Sequence, residues 1–210
     1  MKHPLPRLYA IVDAAVARQH GWTVPDLAAA YLDGGARLLQ LRAPGVASGV
    51  LEGWCDAVVP RGSRYGAAVI VNDRADIARA TGAAGVHLGQ DDLPVEAARS
   101  ILGPDGLIGL STHTVEQLTE AKARPLTYVA VGPVHATRTK DTGYGPVGLA
   151  LVRAAARSAP PPVVAIGGIT LERAPEVLAA GASAVAVIGD LLAGGAPAAR
   201  VRAYVDGLAK

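Results

Sequence analysis

Two aspartates each follow closely on a short apolar run: AVIV (68–71) gives way to Asn72-Asp73, and GVHL (85–88) gives way to Gly89-Gln90-Asp91-Asp92. If both runs are buried strands joined by the helix-like segment between them, they form a βαβ unit. Parallel strands then deliver both polar clusters to one end of a sheet. Carboxylates far apart in sequence would meet there, and a hard cation such as Mg²⁺ binds through one or two carboxylates, waters and substrate phosphates. The competing use of each aspartate is structural. Asp73 could cap the helix after it, and Asp92 the helix beginning near Pro94.

Other polar groups also stand at the ends of apolar runs. Thr137 to Lys140, TRTK, offers two hydroxyls and an ammonium in a Gly/Pro-bounded loop, a set suited to phosphate oxygens or equally to a solvated loop. Its loop is long enough for a functional lid. Gly167-Gly168, with Thr170 opening the next helix, would let backbone N–H groups approach an anion, or would simply make a tight turn. Gly189 after the last strand has the same two readings. Arg42 closes its run and could grip a phosphate with two parallel bonds, or sit in a surface ion pair. His87 lies within a strand, where a hydrogen-bonded structural role competes with catalysis. Cys55, the single cysteine, cannot form an internal disulfide and reads as inert packing.

These groups need elements to hold them. Short apolar runs alternate with Ala/Leu-rich segments of helical spacing from one end of the chain to the other. The strands are expected at Leu8–Val12, Leu38–Leu41, Ala68–Val71, Gly85–Leu88, Leu107–Leu110, Tyr128–Val131, the run PVVAIGGI and Ala184–Ile188. Between them the spacing predicts helices over Val24–Leu32, Val50–Val59, Asp76–Thr81, Val95–Leu102, Val115–Lys122, Leu149–Arg157, Leu171–Ala179 and Ala198–Leu208. Thr114 and Gln117 have the form of a capping box. Alternation of this kind points to an α/β fold with a parallel sheet, and the count fits a (β/α)₈ TIM barrel, with an open doubly wound sheet as the rival.

The 210 residues suffice for one domain over 1–210. Hydrophobic residues make up 50% and charged ones 18%, which suits strands covered on both faces and argues against disorder. A net charge of +2 without basic runs gives no sign of nucleic-acid binding. No stretch approaches a membrane span or a signal peptide, so no membrane role and a cytoplasmic, reducing compartment are expected. Assembly as a homo-oligomer is left open.

Together the motifs resemble thiamine-phosphate synthase: VNDR at 71–74, GVHLGQDDLP at 85–94, GLSTHT at 109–114, VGPV at 131–134 with TRTK, VVAIGGIT at 163–170 and the GASAVAVIGDL stretch. The likeness runs from LYAIVD to the last strand. It implies a (β/α)₈ enzyme that acts on small-molecule substrates. Such an enzyme transfers an aminopyrimidine-methyl group from its diphosphate ester to the ring nitrogen of a thiazole phosphate, releasing diphosphate. The resemblance implies Mg²⁺ as cofactor, at Asp73 and Asp92. It implies diphosphate held by Arg42, Asn72, Thr139 and Lys140, with Ser111 matching the family's serine, and it gives Arg42, Lys140 and Ser111 catalytic roles. Gln40 and His87 match positions near the pyrimidine, while Thr137, Gly168, Ile188 and Gly189 would receive the thiazole phosphate.

Two departures stand out. The family commonly has a QLRxK pattern, where this chain reads Gln40-Leu41-Arg42-Ala43-Pro44, and Gly189 replaces a common serine. Proline supplies neither charge nor N–H, so one diphosphate contact is missing; Arg138 is the candidate to compensate. A related thiazole tautomerase is the alternative within the family, though its histidine falls where this chain has Pro133, with His135 two positions away. A non-catalytic barrel that binds thiamine intermediates is the alternative outside it.

Overall fold

The computed structural model describes residues 5–137, 143–157 and 161–209. Eight parallel strands close into a barrel in sequence order: β1 (Leu8–Asp13), β2 (Leu38–Arg42), β3 (Ala68–Asn72), β4 (Gly85–Leu88), β5 (Leu107–Thr112), β6 (Tyr128–Val131), β7 (Val163–Ile166) and β8 (Ala184–Val187), which pairs back onto β1. The open-sheet alternative is thereby set aside. Closure leaves no sheet edge to protect.

Strand parity divides the core in two. Residues such as Tyr9, Ile11, Leu38, Ile70, Tyr128, Val164 and Ala186 point inward and pack together inside the barrel. Their neighbours Leu8, Ala10, Leu39, Val69, Val71, Val86 and Val185 point outward, against the helices. Burial on both faces explains why the strands read as mainly apolar runs with no regular polar alternation. It also fixes which residues can reach an interior site: the inward set ends in Arg42, Asn72, His87 and Ser111.

The helices around the sheet are α1 (Ala14–Gln19), α2 (Val24–Asp33), α3 (Ser48–Arg64), α4 (Ala75–Ala80), α5 (Val95–Leu102), α6 (Val115–Ala121), α7 (Gly148–Arg157), α8 (Ala174–Ala179) and α9 (Pro197–Leu208). A 3₁₀ segment over Gly189–Gly195 precedes α9. Half of the expected capping box forms: Gln117 N–H donates to the N-cap Thr114 Oγ1 at 3.2 Å, while Gln117 Oε1 accepts at 2.7 Å from the N–H of His113, the residue before the cap.

Some boundaries differ from the sequence expectation, for physical reasons. Helix α1 was not foreseen; Asp13 caps it by accepting from the Ala15 and Val16 N–H groups. Helix α3 continues through Pro60 to Arg64. The proline removes one intrahelical bond, and burial of Val58, Val59 and Gly62 on the sheet side offsets that loss. Strand β5 extends through Ser111 and Thr112, because the Thr112 hydroxyl donates to Ala130 O and the ladder continues to Val131. Helix α8 starts at Ala174, three residues later than Leu171. Pro175 lacks the N–H that a longer helix would need to bond Leu171 O.

Candidate active site

A cavity of about 480 Å³ opens at the C-terminal end of the barrel. Of the expected site residues, Gln40, Arg42, Asn72, His87, Ser111, Thr137, Gly168, Ile188 and Gly189 all line it. They come from the ends of β2, β3, β4 and β5 and from the loops after β6, β7 and β8. Thr139 and Lys140, together with Arg138, lie outside the described residues.

Arg42 ends β2, paired in register with Asp13 at the end of β1. Its guanidinium forms an ion pair with Asp13, whose side chain is 3% exposed against 15% for Arg42. The surface ion pair considered from the sequence is therefore a partly buried one at the cavity wall. One Asp13 oxygen caps α1 and the other holds Arg42, so the carboxylate fixes both. Arginine has five N–H donors, and among the described residues only one of those of Arg42 is committed to a partner. The remaining fork faces a cavity that can take phosphate oxygens.

His87 is buried, with Nδ1 3.0 Å from the Tyr128 hydroxyl and Nε2 2.9 Å from Ser111 Oγ. Gln40 Nε2 donates to the Tyr9 hydroxyl at 3.0 Å. The histidine is thus hydrogen-bonded on both ring nitrogens and also forms part of the wall.

Asp73 and Asp92 occupy neighbouring loops at the rim, outside the residues that line the cavity itself. Neither is a helix N-cap: that position belongs to Arg74 for α4 and to Pro94 for α5. Asp73 adopts the left-handed backbone conformation, with φ of 63°, and its N–H donates to His87 O at 2.8 Å. This extends the β3–β4 contact one residue beyond the strand. A non-glycine residue held in that region costs energy that its surroundings must supply, a pattern concentrated at functional sites. Asp92 Oδ2 accepts the Gly89 N–H at 2.7 Å, closing the turn that follows β4.

On the opposite side, Gly167 and Gly168 both have positive φ, 103° and 60°. A Cβ on Gly168 would lie 2.5 Å from Ala136 O and 2.8 Å from His135 Cβ, so only glycine allows the β6 and β7 loops to pack this closely. Gly189 opens the 3₁₀ segment after β8, with its backbone at the cavity. The adjacent Asp190 accepts from Arg200 Nη2 at 2.8 Å, the Tyr204 hydroxyl at 2.6 Å and Leu171 N–H at 3.2 Å, which ties the β7 and β8 loops to α9. Its charge is thereby matched within the protein.

The thiamine monophosphate synthase family model matches residues 8–191, the whole span of strands and loops just described. The chain belongs to that family. A thiamine-phosphate synthase from Chlorobium phaeovibrioides is 47% identical over 155 residues, covering 74% of each chain. One from Mycobacterium avium is 46% identical over 192 residues, which is 87% of this chain and 84% of the relative. The structure of a thiamine phosphate pyrophosphorylase from Pyrococcus furiosus superposes with a TM-score of 0.85 at 29% identity, covering 97% of both chains.

Several wall residues of this family member were not singled out in the sequence. Tyr9, His113, Arg173 and Asp190 line the cavity, and Tyr128 supports it from below. Strand parity could have found Tyr9, since it alternates with outward-facing Leu8 and Ala10. His113 and Arg173 follow their strands at distances where parity no longer tells direction. His113 stacks on Tyr144 with ring centroids 4.3 Å apart, and Arg173 Nη1 donates to Gly168 O at 3.0 Å. His135, considered for a tautomerase role, is not among the lining residues, and its Nε2 faces Glu176 at 3.7 Å.

Proposed function

We propose that this chain is a thiamine-phosphate synthase whose single barrel joins an aminopyrimidine-methyl diphosphate to a thiazole phosphate in this cavity. The observation that carries the reading is convergence. Motif residues from separate strands and loops meet at one cavity, in a chain whose family match spans the whole barrel.

The residues divide by charge and by side of the cavity. Gln40, Asn72, His87 and Ser111 offer neutral donors and acceptors on the β2–β5 side, suited to a heteroaromatic ring. Arg42 stands at the rim beside them, with Asp73 and Asp92 in the next loops. Two carboxylates in adjacent loops are a donor set that fits Mg²⁺ when substrate phosphates complete its shell. When bound, the ion would neutralise charge building on the departing diphosphate.

In the reaction, the bond between the pyrimidine methylene and the diphosphate oxygen breaks, and the electron pair leaves with diphosphate. The methylene then forms a bond to the thiazole nitrogen. No proton need be removed by a general base, so the protein's task is to orient and neutralise. Arg42 meets the negative charge, Asp13 holds Arg42 in place, and Thr137, Gly168, Ile188 and Gly189 position the second substrate by its phosphate. Lys140 and Thr139 carry the family's expectation of further diphosphate contacts.

Purified protein incubated with both substrates and Mg²⁺ should yield thiamine phosphate and diphosphate in equal amounts. Isomerisation of the thiazole without any coupled product would transfer the case to the tautomerase, and binding without turnover would transfer it to a non-catalytic barrel.

A further inference from the structure

In the cavity wall and just below it, Gln40, Tyr9, Tyr128, His87 and Ser111 form one continuous hydrogen-bond chain across the barrel. The links are 3.0 Å from Gln40 Nε2 to the Tyr9 hydroxyl, 2.9 Å between the two phenol oxygens, 3.0 Å from Tyr128 to His87 Nδ1, and 2.9 Å from His87 Nε2 to Ser111 Oγ. The strand packing accommodates it. Tyr128 pairs in register with Gly109, and a methyl group there would fall within the Tyr128 ring. The Tyr9 and Tyr128 rings meet edge to face, and the His87 ring lies nearly parallel to that of Tyr128.

Counting donors gives the chain a direction. The Tyr9 oxygen already receives an N–H from Gln40, so its own single proton must go elsewhere. Tyr9 is 1% exposed, and among the described residues its other partner is Tyr128. Leaving a buried hydroxyl proton unpaired is costly, so Tyr9 donates to Tyr128. Tyr128 in turn donates to His87 Nδ1. That nitrogen is then an acceptor, so the ring proton sits on Nε2 and donates to Ser111 Oγ. The serine proton is left to point out of the chain, and Ser111 lines the cavity. Burial raises the pKa of both phenols, which keeps their protons in place.

We propose that Tyr9 and Tyr128 are positioning residues that, through His87, fix Ser111 as a hydrogen-bond donor into the cavity, where it selects a substrate ring nitrogen over a C–H. The direction of the chain stands on geometry alone; the ring nitrogen rests on the synthase reading. A site built to donate to that nitrogen disfavours an analogue without it, because the serine proton then loses its acceptor.

The first test is nitrogen NMR of the histidine side chains in ¹⁵N-labelled, substrate-free protein, with His87→Asn to assign the His87 signals. The expected spectrum shows the proton on Nε2, and Tyr128→Phe, which removes the donor to Nδ1, should shift His87 toward a mixture of tautomers. A proton on Nδ1 in the unmodified protein would overturn the proposal, since the chain would then run the other way and Ser111 would donate to His87. An Nε2 proton unchanged by Tyr128→Phe would overturn the role of the tyrosine; should that variant not fold, the spectrum of the unmodified protein still decides the direction.

The second test compares kcat/KM for the pyrimidine diphosphate with that for deaza analogues carrying C–H in place of each ring nitrogen. Discrimination of about tenfold or more is expected against one analogue, and its loss in Ser111→Ala. Equal rates for all analogues in the unmodified protein would overturn the selection of a nitrogen. Absence of turnover with every substrate would instead count against the synthase function, leaving the tautomer result intact.

Discussion

Asp13 shows how one side chain can serve two elements, because its two oxygens cap α1 and hold Arg42. Removing either partner leaves a buried charge uncompensated, so Asp13→Ala should lower both stability, by about 3 kcal/mol, and affinity for the diphosphate substrate. Denaturant unfolding and KM measure the two effects separately. At Asp92 the expectation is different. Asp92→Asn keeps an oxygen that can accept from Gly89 N–H and close the turn, but it removes the anionic charge available to Mg²⁺. Mg²⁺-dependent turnover should fall by at least about a hundredfold with an unchanged melting temperature, and full activity across a Mg²⁺ titration would remove Asp92 from the metal site. Pro44 permits a gain-of-function test. Pro44→Lys restores a cation two residues from Arg42 and should lower KM for the diphosphate substrate about three- to tenfold with little change for the thiazole phosphate. An unchanged KM would show that this loop does not face the diphosphate. The sequence made the chemistry at Arg42 and Asp92 legible because each stands at or just beyond the end of an apolar run, whereas the double role of Asp13 was not foreseen. It could not show that Arg42 is paired to Asp13, since that contact depends on barrel register.

At the scale of elements, the strands were legible because burial on both faces made them apolar runs, and their parity then sorts interior residues from exterior ones. Helix ends were less legible. The competition at Pro60 and Pro175 is between backbone hydrogen bonding and burial, and it resolved differently at the two prolines. Support from beneath the site was hidden as well: Tyr128 reads as an ordinary aromatic strand residue until Gly109 is found opposite, leaving room for its ring. Gly109→Ala tests that relation between β5 and β6. The added methyl overlaps the ring and cannot be relieved by a small rotation, so a loss of about 3 kcal/mol is expected in urea unfolding. A neutral effect would mean that the two strands can shift apart without cost.

Across the whole molecule, Cys55 offers a probe of whether the barrel behaves as a single cooperative unit. It is fully buried in α3 on the outer face of the sheet, and burial, the largest influence, pushes its thiol from the ordinary 9.0 up to about 11. Thiol reagents should therefore leave it untouched in the folded protein near pH 8 and modify it only on unfolding. Trp22 and Trp54 pack against the same outer core, so their fluorescence reports the same layer. If residues 5–209 unfold as one domain, thiol exposure and fluorescence should follow coincident urea transitions. Separated transitions would divide the barrel into independent units. The same thiol links stability to pH with a definite sign. The folded state holds its proton more tightly than the unfolded chain, so this contribution is complete below pH 9 and lost as pH rises toward 11. Cys55→Ala removes the titrating group, so its stability should fall less steeply across that window, and parallel slopes for the two proteins would show that the thiol is not held in its protonated form by the fold.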